Sequence, residues 1–150
     1  MIIHIIGQPA SGKSTISREL EKFLKSTKFV FGSEPIIIDG DEVRKIFGNQ
    51  NYTDDGRKAN LRNAYNIAKF LDAKGFTPIL AMVSPFLELR EELKSSNEVK
   101  EIYLTTSQIR GRESFFVENY EKPLSNFLEI NTDSDLNICL EEIIDYVITK

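Results

Sequence analysis

The chain has 150 residues, 41% of them hydrophobic and 28% charged, with a formal net charge of −4 and a single cysteine. That composition predicts one domain over residues 1–150 with a core of its own, needing neither a disulfide nor a structural metal. The acidic balance argues against nucleic acid as a main partner, no segment has the length and apolarity of a membrane span, and the scarcity of thiols fits a cytoplasmic protein.

In chain order, "IIHII" (2–6) is a five-residue apolar run without a basic leader. It reads as a strand buried on both faces rather than a signal peptide. Residues 13–26 carry Ile16, Leu20, Phe23 and Leu24 at helical spacing, and a loop follows over 27–35. "PIIIDGD" (35–41) is a second buried strand ending in acids, and "DEVRKIF" a short helix. "GNQNYTDDG" is turn-rich and leads into a helix with Leu61, Ala64, Ala68 and Leu71 on one stripe and Gly75 at its C-terminal cap. "TPILAMV" (77–83) is a third strand, followed by Ser84-Pro85 and then a helix through about Ser95. "VKEIYLTT" (99–106) is a fourth strand, 107–125 is charged and irregular, and "NFLEINT" (126–132) is a fifth. The last helix places Leu136, Leu140, Ile143 and Val147 on one stripe, with Cys139 in its apolar region as a core residue. Strands alternating with helices predict an α/β fold: a five-stranded parallel sheet with helices on both faces.

The first strand runs into "GQPASGKS", which matches G-x-x-x-x-G-K-[ST] from Gly7 to Ser14 and opens a helix. Here the loop N–H groups through Ala10, Ser11 and Gly12, with the helix N-terminus, point at phosphate oxygens. Lys13 reaches the β- and γ-phosphates of ATP and Ser14 can ligate Mg²⁺. The strand–loop–helix context makes this a P-loop NTPase fold. Thr15 is a further phosphate contact, or simply a good first-turn residue. At the end of the second strand, Asp39 can hold Mg²⁺ or its water, or accept a proton from an attacking hydroxyl. The alternative for Asp39 and Asp41 is turn and N-cap chemistry, with Asp41 the stronger cap candidate. Arg44 is a substrate contact or a solvated charge. Arg57 and Asn60 extend the buried stripe of their helix toward its N-terminus, so each needs a partner: a substrate phosphate or ribose, or, in the alternative, an ion pair with a nearby acid.

Three function classes share the loop. One is a kinase acting on a small molecule. Another is a regulatory nucleotide-binding protein or ATPase with no acceptor; the guanine motif N-K-x-D is absent. The last is a nucleic-acid end kinase, which the charge disfavours.

Taken together, "GQPASGKST", "DGDEVR", "YTDDGRKANLR", "VSPF", "EIYLTT" and "FLEINTD" resemble, in order, the motifs of the adenylylsulfate kinase family. The resemblance implies an enzyme that phosphorylates the ribose 3′-hydroxyl of adenosine 5′-phosphosulfate with ATP and Mg²⁺. By that resemblance Asp39 is the catalytic acid position and, with Ser14, a metal contact. Asp41, Arg44, Arg57 and Asn60 hold the acceptor nucleotide, Tyr52 stacks on its base, and Val83, Ser84 and Pro85 line its pocket. Arg112 is a lid residue beside ATP, and Thr132 sits at the adenine pocket. Ser84 is not expected to be a nucleophile, because His4 lies inside the first strand as a core histidine with a hydrogen-bond partner. The resemblance is compatible with a homodimer. After Arg112 the chain departs from the family pattern: "ESFFVENYEKPL" stands where a longer basic lid is expected, and Gly56 and Ala59 replace two acids. The altered lid brings in a second acceptor, cytidine diphosphoramidate, used by a branch of the family in capsule biosynthesis. Phe115 and Phe116 either cover the site or anchor the lid on the core.

Overall fold

The structure is a computed structural model and describes residues 1–27 and 32–149. Part of the loop expected over 27–35 lies outside the described residues.

Five strands, β1 (Ile2–Ile6), β2 (Pro35–Asp39), β3 (Thr77–Ala81), β4 (Val99–Thr105) and β5 (Phe127–Asn131), form one sheet in the order β2-β3-β1-β4-β5. All four pairings are parallel. Among the described residues, five α-helices accompany them: α1 (Lys13–Ser26), α2 (Gly40–Phe47), α3 (Asp54–Ala73), α4 (Leu87–Ser96) and α5 (Leu136–Ile148). The strands' period of two feeds two cores. Ile3 and Ile5 pack with Ile16, Leu20, Ile143 and Val147 on the α1/α5 face. Ile2 packs with Val43, Leu61, Ala64, Ala68 and Leu93 on the α2/α3/α4 face. Helices therefore cover both faces, as a parallel sheet requires. Cys139 is buried in the first core.

Several boundaries differ from the sequence reading, each for a local reason. The second strand stops at Asp39 rather than running to Asp41. Asp39 is itself the N-cap of α2, its Oδ1 accepting from Asp41 N at 2.8 Å and Glu42 N at 3.4 Å, so the capping role expected of Asp41 belongs to Asp39. The third strand ends at Ala81 rather than 83. Met82 N still donates to Ile5 O, but Ser84 sits at φ 48 and its neighbours' carbonyls are drawn to other partners. The fourth ends at Thr105, because Thr106 Oγ1 turns to Asp133 and receives Gln108 N. The fifth begins only at Phe127, since Asn126 has φ 53. In α5 the inward line is Cys139, Ile143 and Val147, and Leu136, the first residue of the helix, is 40% exposed. Gly75 does close α3: Phe76 N donates to Leu71 O and Gly75 N to Asp72 O.

The register decides where chemistry gathers. Ile5 pairs with Ala81, and Ala81 with Asp39. The phosphate-loop motif, the acid and the "VSPF" segment therefore leave the sheet level with one another, at the carboxyl ends where open α/β sheets bind ligands.

Candidate active site

An open cleft of about 440 Å³ lies over those strand ends, within the size range of small-molecule sites. Five cationic side chains line it, Lys13, Arg44, Arg57, Arg110 and Arg112, against two carboxylates, Asp39 and Asp41. An acidic chain thus carries one electropositive pocket.

On one side is the loop of residues 7–14. Gly7 has φ 150, and a Cβ there would stand 2.7 Å from Leu104 O and from Ser11 Oγ, so the loop closes against β4 only around a glycine. Ala10 and Gly12 also have positive φ. The first turn of α1 has neither a side-chain cap nor an acidic residue. Its N–H groups are left for an anion. Lys13 Nζ folds back onto Gly7 O (3.0 Å), Gln8 O (2.7 Å) and Ser11 Oγ (3.3 Å). Burial, with the Arg112 charge second, lowers its pKa to about 8, while Asp39 and Asp41 act in the opposite sense. Ser14 and Thr15 are exposed on the cleft wall.

Thr132 does not line the cleft. Its hydroxyl donates to Ser11 O at 2.8 Å and holds the loop from outside. Arg110, which sequence reasoning passed over in favour of Arg112, fastens the same place. Its Nη1 donates to Ala10 O at 3.1 Å and its Nη2 to Thr132 O at 3.2 Å. Arg112 and Phe115 line the cleft from the lid. Phe115 and Phe116 are both exposed, so neither anchors the lid on the core.

On the other side stand the residues of α2 and α3. The Arg44 guanidinium lies 4.1 Å from the Tyr52 ring centroid and donates to Asn51 O at 2.9 Å. Arg57 Nε donates to Tyr52 O at 2.9 Å, a carbonyl rather than the acid offered as its alternative partner. Asn60 is 4% exposed. Its Nδ2 donates to Gly40 O at 3.2 Å, and its Oδ1, also buried, has no hydrogen-bond partner among the described residues. An unpaired buried carbonyl beside a cleft is costly unless a ligand donor meets it.

The third wall is Val83–Pro85. All three carbonyls are taken from behind. Tyr120 Oη donates to Val83 O, Arg90 Nη1 to Ser84 O at 2.5 Å, and Glu121 N to Pro85 O at 3.1 Å. Ser84 Oγ lies 2.9 Å from His4 Nε2. His4 is therefore the core histidine expected, but its partner is the serine from which its place in a strand was taken to separate it. Complete burial, then the Arg90 and Lys94 charges, lower its pKa to about 3, so the imidazole stays neutral and is a poor base for Ser84.

Behind this wall lies a buried ionic group that the sequence reading missed. Arg90 Nε meets Glu101 Oε1 at 2.9 Å with both side chains inaccessible to solvent, and Lys94 pairs with the other carboxylate oxygen. Arg90 Nη2 also donates to Glu121 O at 2.5 Å. The available signal was Glu101 itself, an acid in the middle of the apolar strand "VKEIYLT".

Among known proteins, the family model for adenylylsulphate kinase matches residues 1–113. The chain is 31% identical to the adenylyl-sulfate kinase of Prochlorococcus marinus over 172 aligned positions, covering 99% of this chain and 83% of that one. It is 36% identical to that of Bacillus velezensis over 107 residues, 69% of this chain and 52% of that one. The fold of the Mycobacterium tuberculosis APS kinase, solved with AMPPNP and APS, superposes with a TM-score of 0.82 at 18% identity, covering 99% of this chain and 97% of that one. The family match ends where the lid begins to depart from the family's pattern. With residues 1–113 matched, and with the motifs around Lys13, Asp39, Arg57 and Ser84 brought to one cleft, the chain belongs to the adenylylsulphate kinase family.

Proposed function

We propose that the protein is an ATP-dependent kinase that transfers the γ-phosphate of ATP to the ribose 3′-hydroxyl of adenosine 5′-phosphosulfate. The observation that carries this reading is the continuity of the cleft: the phosphate loop and the Asp39–Pro85 walls border one volume, so donor and acceptor can meet in line. ATP phosphates take the loop N–H groups and Lys13. The acceptor takes Arg44, Arg57, Tyr52 and Asn60, with Asn60 Oδ1 accepting a hydrogen bond from it. In the transfer, the acceptor oxygen forms its bond to Pγ as the bond to the bridging oxygen breaks and ADP leaves. The hydroxyl proton passes to Asp39. Oδ1 of that residue is held by two N–H groups of α2, which leaves Oδ2 to accept.

Ser14 fits an Mg²⁺ site of the kind completed by nucleotide phosphates and water, where Asp39, in the alternative to its role as base, would hold a metal-bound water. Both line the cleft, and no cluster of three or more His, Cys, Asp or Glu side chains among the described residues forms an all-protein cage. Bound there, Mg²⁺ would neutralise charge on the β- and γ-phosphates. Among the described residues no helix is long and apolar enough to cross a membrane.

The segment after Glu113 lies beyond the family match, and with it cytidine diphosphoramidate stands as the alternative acceptor. A competition assay with both nucleotides and labelled ATP tests the reading. The expected product carries the new phosphate on the ribose 3′-oxygen of adenosine 5′-phosphosulfate. Preference for the cytidine compound would move the assignment to the second acceptor. Free phosphate alone, with either acceptor, would refute both.

A further inference from the structure

Gln8 is the first variable position of the phosphate loop, and it makes a contact that no loop motif requires. Its side-chain amide bonds both ways to one lid residue 109 positions away. Nε2 donates to Val117 O at 2.9 Å, and Oε1 accepts from Val117 N at 2.9 Å. Opposed residues of an antiparallel pair exchange the same two bonds, and a primary amide offers the matching donor and acceptor. Gln8 thus pairs with Val117 as a neighbouring strand would. Its main-chain carbonyl meanwhile accepts from Lys13 Nζ at 2.7 Å. One residue therefore touches the phosphate lysine and the lid together.

The lid has a second point of attachment. Three residues beyond Val117, Tyr120 holds Val83 O, and Glu121 meets Pro85 O through its N–H and Leu87 N through its carboxylate. The segment is fixed at one point to the donor loop and at the other to the acceptor wall. Just before the first point lie Arg112 and Phe115, which face the cleft.

Resting on the kinase reading above, we propose that Gln8 is a positioning residue whose amide latches the lid to the phosphate loop through Val117, so that Arg112 and Phe115 stand over the donor phosphates before the acceptor arrives. A latched lid keeps water from the γ-phosphate and directs it to the acceptor hydroxyl. Without the latch the same cleft still binds ATP and loses more of it to hydrolysis.

The test compares the wild-type protein with Gln8→Met, which keeps length and volume but cannot form either bond, and Gln8→Glu, which can accept from Val117 N but cannot donate to Val117 O. Hydrogen exchange on the nucleotide-free proteins reads the latch directly. The Val117 amide is expected to lose roughly tenfold protection in the Met variant, as for the loss of one net hydrogen bond, and less in the Glu variant. With ATP and acceptor, the ratio of free phosphate to phosphorylated acceptor is expected to rise by about tenfold in the Met variant. A purely structural role would lower the melting temperature and leave that ratio unmoved. Unchanged exchange at Val117 overturns the latch, and loosened exchange with an unchanged ratio overturns its positioning role. Should the wild-type protein phosphorylate neither nucleotide, the kinase reading falls, and the exchange comparison still judges the latch.

Discussion

Gly56 is the position where a single methyl group should separate the acceptor side of the site from the donor side. It lies in the first turn of α3, and an ideal Cβ built on it would stand 2.1 Å from Asn51 O and 2.5 Å from both Asn51 Cβ and Cγ. To bring the first contact only to 3.0 Å, below which Cβ contacts essentially never occur, Asn51 O must retreat by about 0.9 Å. That carbonyl is a hydrogen-bond partner of Arg44, and Arg44 in turn covers the Tyr52 ring. Gly56→Ala therefore displaces two of the proposed acceptor contacts without touching the phosphate loop. Overpacking of this kind costs about 1–3 kcal/mol, offset by up to ~1 kcal/mol for replacing glycine in a helix. The melting temperature should accordingly fall by no more than about 12 °C. A shift near 1 Å at substrate-positioning groups can cost ~100-fold, so KM for the acceptor is expected to rise between about ten- and a hundredfold while KM for ATP stays within about twofold. Steady-state kinetics with each substrate varied in turn, beside a thermal melt, measures all three quantities. A folded variant with an unchanged acceptor KM would refute the claim that the Asn49–Thr53 turn sets Arg44. Gly56→Asp, which restores the acid of the family pattern, meets the same obstruction and should not improve activity.

Other outcomes follow from the titrating and buried groups. Lys13 has its pKa lowered to about 8 in the free protein, and bound phosphate favours the charged form, so ATP binding above pH 8 should take up protons. Calorimetry at pH 8.5 in two buffers of different ionisation enthalpy detects this, and equal heats would contradict it; Lys13→Ala should abolish transfer. His4 has a folded-state pKa of about 3 against 6.5 unfolded, so the unfolded chain binds the proton first. Its contribution is fully present above pH 6.5 and falls away as pH drops toward 3, to a limit of roughly 5 kcal/mol. Denaturant midpoints of the wild type and His4→Leu across pH 7 to 4 should converge as pH falls, and parallel curves would rule this out. Arg90→Met leaves the Ser84 and Glu121 carbonyls without their buried donor and breaks one of the two pairs to Glu101, for an expected loss of about 3–5 kcal/mol. Urea unfolding measures it, and a loss under ~1 kcal/mol would show the ionic group to be dispensable.

What the sequence made legible follows from the range of the forces involved. The strand–helix alternation and the phosphate loop are local patterns, and the structure keeps both. Asp39, Arg57 and Asn60 stood out because they sit at a strand end or at the start of a helix stripe, positions fixed by period and topology, whereas the 83–85 segment came only from the family resemblance. The missed contacts join residues far apart in the chain: Gln8 to Val117, Arg110 to Ala10 and His4 to Ser84. None leaves a periodic trace. Arg90 was missed for another reason: Ser84 and Glu101 are near it in the chain, but nothing in "LREELK" signals that its charge is buried against the next strand.

These long-range contacts share a logic that bears on function. The parallel sheet brings the three motif-bearing strand ends level, but it does not by itself fix the loops that follow them. Each loop is held by a side chain from elsewhere: the phosphate loop by Thr132 and Arg110, the acceptor wall by Arg90 and Tyr120, and the lid by Gln8. In-line transfer tolerates little error in the separation of donor and acceptor. The anchors set that separation; Arg110 also faces the cleft and Gln8 belongs to the phosphate loop, while Thr132, Arg90 and Tyr120 lie outside both surfaces assigned to the substrates. Substitution at such an anchor should therefore damage turnover and coupling more than affinity, whereas substitution at Arg44 or Arg57 should do the reverse.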